Sequence, residues 1–129
     1  MLRVALAEDH EELRTTLRMF LGLLNNIEVV FVAENGREAL ECVQHHQPDV
    51  LVMDILMPEL DGLEVARRIA NLALPTRVIL ISTLKAYDIE QVVKAAGGHG
   101  FVPKDEIIEM LPVAIETVSR GGYYFQADV

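Results

Sequence analysis

The chain has few cysteines, few basic side chains and no long apolar segment, and each shortage excludes a class of protein. Its 129 residues include one cysteine, Cys42, so no internal disulfide can form. Only 11 Lys and Arg residues stand against 20 Asp and Glu residues, which gives a formal net charge of -9. This balance argues against direct binding of nucleic acid or of an anionic membrane. No apolar run is long enough to span a bilayer, so we expect no membrane partner.

The N-terminus, MLRVALAED, lacks the long apolar segment and the cleavage site of a secretory signal peptide. Together with the single cysteine, this predicts a cytoplasmic location. The composition, 51% hydrophobic and 24% charged, is typical of a soluble globular protein, and the length is typical of one domain.

Short apolar runs alternate with segments in which apolar residues recur at helical spacing. Five runs are predicted as strands, over residues 3–7, 28–33, 49–53, 77–81 and 100–102. Helical spacing follows each run, as at Leu13, Leu17 and Leu21 after the first. Five such units predict a parallel sheet with helices on both faces. We expect the flavodoxin-like α/β fold, a doubly wound sandwich with strand order 2-1-3-4-5.

Two local features affect the predicted helices. Asp61 is placed to cap the helix that follows the third strand. Pro112 falls within the last helical pattern, where proline removes a backbone hydrogen bond. We therefore expect an irregular turn over residues 105–110 and a regular helix that starts near Leu111, or else a kink.

Acidic side chains follow the first and third predicted strands, at the point where each strand ends. Glu8 and Asp9 come directly after the first strand, and Asp54 after the third. These strands are neighbours in the predicted order, and their ends converge where ligands bind in such sheets. Carboxylates this close repel each other unless a cation lies among them. The sequence therefore predicts a hard divalent cation such as Mg2+, and Asp54 becomes a candidate nucleophile.

Two more polar residues end the remaining strands of this region. Ser82 follows the fourth strand, and Lys104 follows the fifth. A lysine and a hydroxyl beside a carboxylate with a cation suit phosphoryl transfer, which depends mostly on positioning and charge stabilisation. Each residue alone would be better explained as a solvated or capping side chain, but their joint placement at four strand ends argues against that explanation.

With these residues, the chain resembles the receiver domain of bacterial two-component response regulators over nearly its whole length. The matching features are Glu8-Asp9, the segment DILMPELDG from Asp54 to Gly62, Ser82, the run GGHGF, and Lys104. The resemblance implies a receiver domain over residues 1–121, and a linker or C-terminal tail that begins with residues 122–129. Asp105 follows the lysine where many receivers have proline, and the ending RGGYYF is similar to regulators of the LuxR/NarL type.

The resemblance implies a role for each matching position. Asp54 would accept a phosphoryl group from a sensor histidine kinase. Asp54, Asp9 and the backbone carbonyl of Leu56 would bind Mg2+ directly, and Glu8 would bind it through water. Lys104 would bind the phosphoryl group.

The resemblance also implies a switch and a path for water. Ser82 would move towards the phosphoryl group, and Phe101 would turn inward. Leu56 and Leu84 would line the route of the attacking water. Because two leucines cannot orient water by hydrogen bonds, we expect slow loss of the phosphoryl group.

The resemblance implies a signalling switch and not an enzyme, since such a domain promotes only its own phosphorylation and dephosphorylation. The output would be transcription, through a helix-turn-helix DNA-binding domain absent from this chain, with pairing of two copies upon phosphorylation. A stand-alone receiver acting on a protein partner is the alternative. An aspartyl-phosphate phosphatase is less favoured, because Leu56 lies where enzymes similar to haloacid dehalogenases carry a second aspartate. A flavodoxin-like electron carrier needs a hydroxyl-rich phosphate loop, and residues 8–12 are mostly acidic.

The histidines give no motif of their own. His45 and His46 are adjacent, so they point in different directions on a helix, which favours a solvated face over a metal site. His10 and His99 lie near ends of predicted strands, where either could line the rim of the site.

Overall fold

A computed structural model describes residues 1–84 and 87–126 of the chain. The strands are β1 (Leu2–Ala7), β2 (Ile27–Ala33), β3 (Val50–Asp54), β4 (Arg77–Ser82) and β5 (Gly100–Pro103). The helices are α1 (Glu11–Leu23), α2 (Gly36–His46), α3 (Gly62–Asn71), α4 (Ile89–Ala95) and α5 (Ile107–Ser119), and a 3-10 turn covers Lys104–Glu106. Each strand is therefore followed by a helix, as the sequence pattern predicts.

The five strands form one parallel sheet in the order β2-β1-β3-β4-β5. The predicted α/β fold and its strand order are confirmed. Every residue of β3 is buried, as expected for a central strand covered on both faces. One apolar cluster contains Val43, Ala66 and Val93 from α2, α3 and α4, and the other contains Leu17 and Leu111 from α1 and α5. Because β1 and β3 are paired neighbours, their carboxyl ends meet at one edge of the sheet.

The last helix differs from its prediction. The expected start near Leu111 is wrong, because α5 begins at Ile107, directly after the 3-10 turn at Lys104–Glu106. Pro112 lies inside this helix. The helix buries Leu111 and Ile115 on either side of the proline, and this burial outweighs one lost hydrogen bond.

The chain continues along the sheet after α5. Tyr124 forms an isolated parallel bridge with Gly100 of β5. The predicted boundary at residue 121 stays a prediction, and residues 127–129 of the predicted tail lie outside the described residues. None of the helices in the described part of the chain combines the length and the apolar character needed to cross a lipid bilayer.

Candidate functional site

Glu8, at the carboxyl end of β1, is a carboxylate with no exposed surface. Its Oε2 accepts a hydrogen bond of 3.1 Å from the backbone amide of His10. Its Oε1 lies 3.0 Å from Nζ of Lys104, yet it has no partner in hydrogen-bonding geometry among the described residues. Burial raises the pKa of Glu8, and the nearby Lys104 ammonium opposes that rise. A buried oxygen without a donor is costly, and a cation could bind it.

Asp54 ends β3 and shares the Lys104 ammonium with Glu8. Its Oδ2 accepts a hydrogen bond of 2.8 Å from Lys104 Nζ, and its Oδ1 accepts one of 3.2 Å from the Leu56 amide. Burial acts to lower the pKa of Lys104, but the carboxylates of Asp54 and Glu8 outweigh burial and raise it. Lys104 therefore stays ionised and partly neutralises two acids at once.

Asp9 completes an acidic cluster with these two residues. One carboxylate oxygen from each of Glu8, Asp9 and Asp54 lies within 4.8 Å of the others. Asp9 is exposed whereas the other two are buried, so solvent reaches the cluster from the Asp9 side. Three carboxylates facing one ammonium leave an excess of negative charge. Oxygen ligands of this kind, including the buried Oε1 of Glu8, fit a hard divalent cation.

A close approach of backbones shapes the loop after β3. Asp61 caps α3 as predicted, because its Oδ1 accepts a hydrogen bond of 2.9 Å from the Glu64 amide. Gly62 donates its own amide to the Ile55 carbonyl at 2.7 Å. A Cβ atom on Gly62 would lie 2.3 Å from the carbonyl oxygen of Asp54. Gly62 has no role in the sequence-based prediction, although its place after Asp61 in the DG pair indicates a tight turn.

The predicted switch residues lie on adjacent strands. Ser82, 1% exposed, ends β4, and its Oγ accepts a hydrogen bond of 3.0 Å from the Leu84 amide. Phe101, 3% exposed, lies on β5, and its inward turn upon phosphorylation stays a prediction. Leu56 and Leu84 are both exposed, and their amides bond to the side chains of Asp54 and Ser82. Both leucines therefore adjoin the site.

The two histidines near strand ends lie at different places. His10 adjoins the site, since its amide donates to Glu8. His99 precedes β5, and its ring Nδ1 accepts a hydrogen bond from the amide of Val78 near the start of β4. The expectation that His99 could line the rim of the site is wrong, because it lies at the amino end of its strand.

The fold and the site define a doubly wound α/β domain with a lysine-paired aspartate and an acidic cluster where the strand order reverses. Residues 4–116 match the family of response regulator receiver domains. The chain belongs to this family, and the resemblance inferred from its motifs is confirmed.

The chain is similar to several regulators of the same type. It is 38% identical over 127 residues to the oxygen regulatory protein NreC of Staphylococcus carnosus, covering 95% of this chain and 57% of that protein. The signal receiver domain of the response regulator NarL from Mycobacterium tuberculosis is 34% identical, with a TM-score of 0.89 over 93% of this chain and 97% of that one. A LuxR-family DNA-binding response regulator from Staphylococcus aureus is 28% identical, with a TM-score of 0.87 over 92% of this chain and 99% of that one. The chain thus spans little more than half the length of a full regulator such as NreC.

Proposed function

We propose that Asp54 accepts a phosphoryl group from a sensor histidine kinase, and that the acyl phosphate changes the surface that this receiver presents to its output. The observation that carries this proposal is the contact of one ammonium, Lys104 Nζ, with both Asp54 Oδ2 and Glu8 Oε1. A fixed cation beside a carboxylate can bind the incoming phosphoryl oxygens as charge develops on them. The domain acts on itself alone, by gaining and losing the phosphoryl group.

The acidic cluster is proposed as a Mg2+ site. Glu8, Asp9 and Asp54 would hold the ion together with the backbone carbonyl of Leu56, Glu8 through water. When bound, Mg2+ would neutralise the carboxylates and stabilise negative charge on the phosphoryl oxygens. The support from this chain is the buried Oε1 of Glu8, which receives no hydrogen bond beside its ion pair with Lys104, and the excess of acid over base around it.

Ser82 is proposed as the residue that detects the phosphoryl group. Phosphorylation adds roughly 1.5 to 2 negative charges and new acceptor oxygens. The Ser82 hydroxyl can donate to one of these oxygens, and a change of its χ1 rotamer that brings it there would break the bond that its Oγ accepts from the Leu84 amide. The ring of Phe101, which is buried on the neighbouring strand β5, would turn inward into the space that Ser82 vacates.

The proposed output is transcription. The structural relative from Staphylococcus aureus is described as a DNA-binding regulator of the LuxR family, and NreC is nearly twice the length that this chain matches. A helix-turn-helix domain in the full regulator would bind DNA, and pairing of phosphorylated receivers would bring two such domains together. The net charge of -9 agrees with a receiver that does not bind DNA itself.

The first prediction tests the phosphoacceptor. Incubation with acetyl phosphate and Mg2+ is expected to give a single phosphoryl adduct in the intact mass, and Asp54→Asn is expected to give none. Asp61→Asn is the matched control, because Asn can also cap α3 and the adduct should remain. An adduct that persists in Asp54→Asn, or none in the native chain at any Mg2+ concentration, contradicts the proposal.

The second prediction concerns the lifetime of the phosphorylated protein. Leu56→Asn is expected to shorten it about tenfold, because an amide can position the attacking water and a leucine cannot. The decay of the adduct is followed by mass after removal of acetyl phosphate. Leu72→Asn, at an exposed leucine after α3, should leave the lifetime unchanged. Equal lifetimes for the native chain and Leu56→Asn would show that Leu56 does not shield the site.

A further inference from the structure

Residues 122–126, here named the C-terminal strap, lie along the outer edge of β5. The Tyr124 amide donates to the His99 carbonyl at 2.9 Å, and the Phe101 amide donates to the Tyr124 carbonyl at 3.0 Å. Since β5 is an edge strand, these bonds pair backbone groups that would otherwise face solvent. The strap is thus bonded directly to the backbone of Phe101, a proposed switch residue.

The first part of the strap is attached to the sheet. Arg77 of β4 donates from Nη2 to the Gly122 carbonyl at 2.7 Å, and its guanidinium lies 5.2 Å from the centre of the Tyr123 ring. The His99 ring stacks on Tyr123 at 5.7 Å between centroids. Burial, assisted by the charge of Arg77, lowers the pKa of His99 to about 4, so its ring is neutral and Nδ1 can accept the Val78 amide. These contacts are made by Arg77 of β4 and by His99 before β5, and none of them involves α4.

The last part of the strap is attached to α4. The Gln126 amide donates to Oε2 of Glu90 at 2.7 Å, and Glu90 is only 9% exposed. The Phe125 ring lies 4.8 Å from Nζ of Lys94 and packs against the apolar cluster on the α4 face. These contacts are made by side chains of α4, so they last only while α4 keeps its position.

The phosphorylation site and α4 share one connection. The chain leaves Ser82 at the end of β4 and enters α4 at Ile89, so Glu90 is the second residue of that helix. The bond from the Leu84 amide to Ser82 Oγ fixes the beginning of this connection. If Ser82 changes its χ1 rotamer to bring its hydroxyl to a phosphoryl oxygen, its Oγ moves away from the Leu84 amide, and the connection to α4 loses this bond at its start.

We infer that phosphorylation of Asp54 detaches the α4 end of the C-terminal strap, Phe125 and Gln126, while the sheet end at Gly122–Tyr124 stays bound. The strap then reports the state of the site to the chain that follows it. This inference rests on the proposed function. Because coupling is reciprocal, a strap already detached from α4 should favour the phosphorylated state.

Amide exchange in the full chain tests the detachment. After treatment with acetyl phosphate and Mg2+, the Gln126 amide is expected to exchange at least about tenfold faster, while the Tyr124 amide exchanges as before. The intact mass is measured on the same sample. A phosphoryl adduct with unchanged Gln126 exchange overturns the inference and leaves the proposed function standing. The absence of an adduct overturns the proposed function and the inference with it.

A pair of variants tests the reciprocal effect. Glu90→Ala removes the acceptor of the Gln126 amide, and is expected to bind beryllofluoride, a phosphoryl mimic, about fivefold more tightly in the presence of Mg2+. Glu90→Gln keeps a side-chain oxygen acceptor and should bind it as the native chain does. Phe125→Ala removes the other contacts of this end of the strap, those of the Phe125 ring with Lys94 and the apolar cluster. It replaces Glu90→Ala in the test if that variant does not fold. Native affinity in whichever of the two detaching variants is folded overturns the inference.

Discussion

Lys104→Met is expected to lower the free energy of unfolding of the metal-free protein by about 3 kcal/mol. The Lys104 ammonium lies 3.0 Å from Glu8 Oε1 and 2.8 Å from Asp54 Oδ2, and the Glu8 side chain is 0% exposed. Methionine preserves most of the apolar stem but removes the charge, so two buried carboxylates lose their cation. Urea unfolding at pH 7 in the presence of a chelator measures the loss.

Two controls separate this electrostatic effect from lost packing. In a Glu8→Gln background, Lys104→Met should lower the free energy of unfolding by much less, because only one of the two buried carboxylates that contact Lys104 remains. The loss should also shrink as the pH falls. Burial already raises the pKa of Glu8 above 4.5, and without Lys104 it rises further, so lowering the pH protonates the folded state and removes the penalty of the buried charge. A loss that is equal in both backgrounds and at every pH would contradict the electrostatic explanation.

The cost of burying an unpaired charge also explains why much of the site could be predicted from the sequence. A buried strand such as β3 must be apolar, so the first acid after it marks its end. With the strand order known, Glu8 and Asp54 had to meet, and the structure does bring them together with Lys104. The fold could be predicted because short apolar runs typical of strands alternate with segments of helical spacing, and both patterns are local properties of the chain.

The features that could not be predicted depend on contacts between distant residues. The early start of α5 depends on burial against the sheet, which local proline chemistry does not show. His99 precedes the fifth strand in the prediction as well, but its hydrogen bond from the Val78 amide depends on how β5 pairs with β4. The C-terminal strap depends on Arg77 and Glu90, which lie at least 36 positions away along the chain from their partners in it.

Gly62→Ala is expected to cost about 3 kcal/mol of stability and to reduce phosphoryl uptake by the folded fraction as well. The added methyl group would lie 2.3 Å from the Asp54 carbonyl oxygen, and backbone cannot move aside as the end of a flexible side chain can. Relief requires either a shift of Asp54 or loss of the bond of 2.7 Å from the Gly62 amide to the Ile55 carbonyl. Thermal or urea unfolding measures the stability, and intact mass with acetyl phosphate and Mg2+ measures the uptake.

Gly22→Ala is the matched control for this substitution, because it makes the same chemical change within α1. A Cβ atom on Gly22 would meet nothing within 4 Å, so alanine should stabilise the protein by up to ~1 kcal/mol through its better helix propensity. The opposite signs of the two effects would then come from space alone, since both glycines lie in helices. A Gly62→Ala protein as stable as the native chain would mean that the loop after β3 can move without disturbing Asp54. Normal phosphoryl uptake in that variant would show that the close approach of the two backbones is not needed to position the phosphoacceptor.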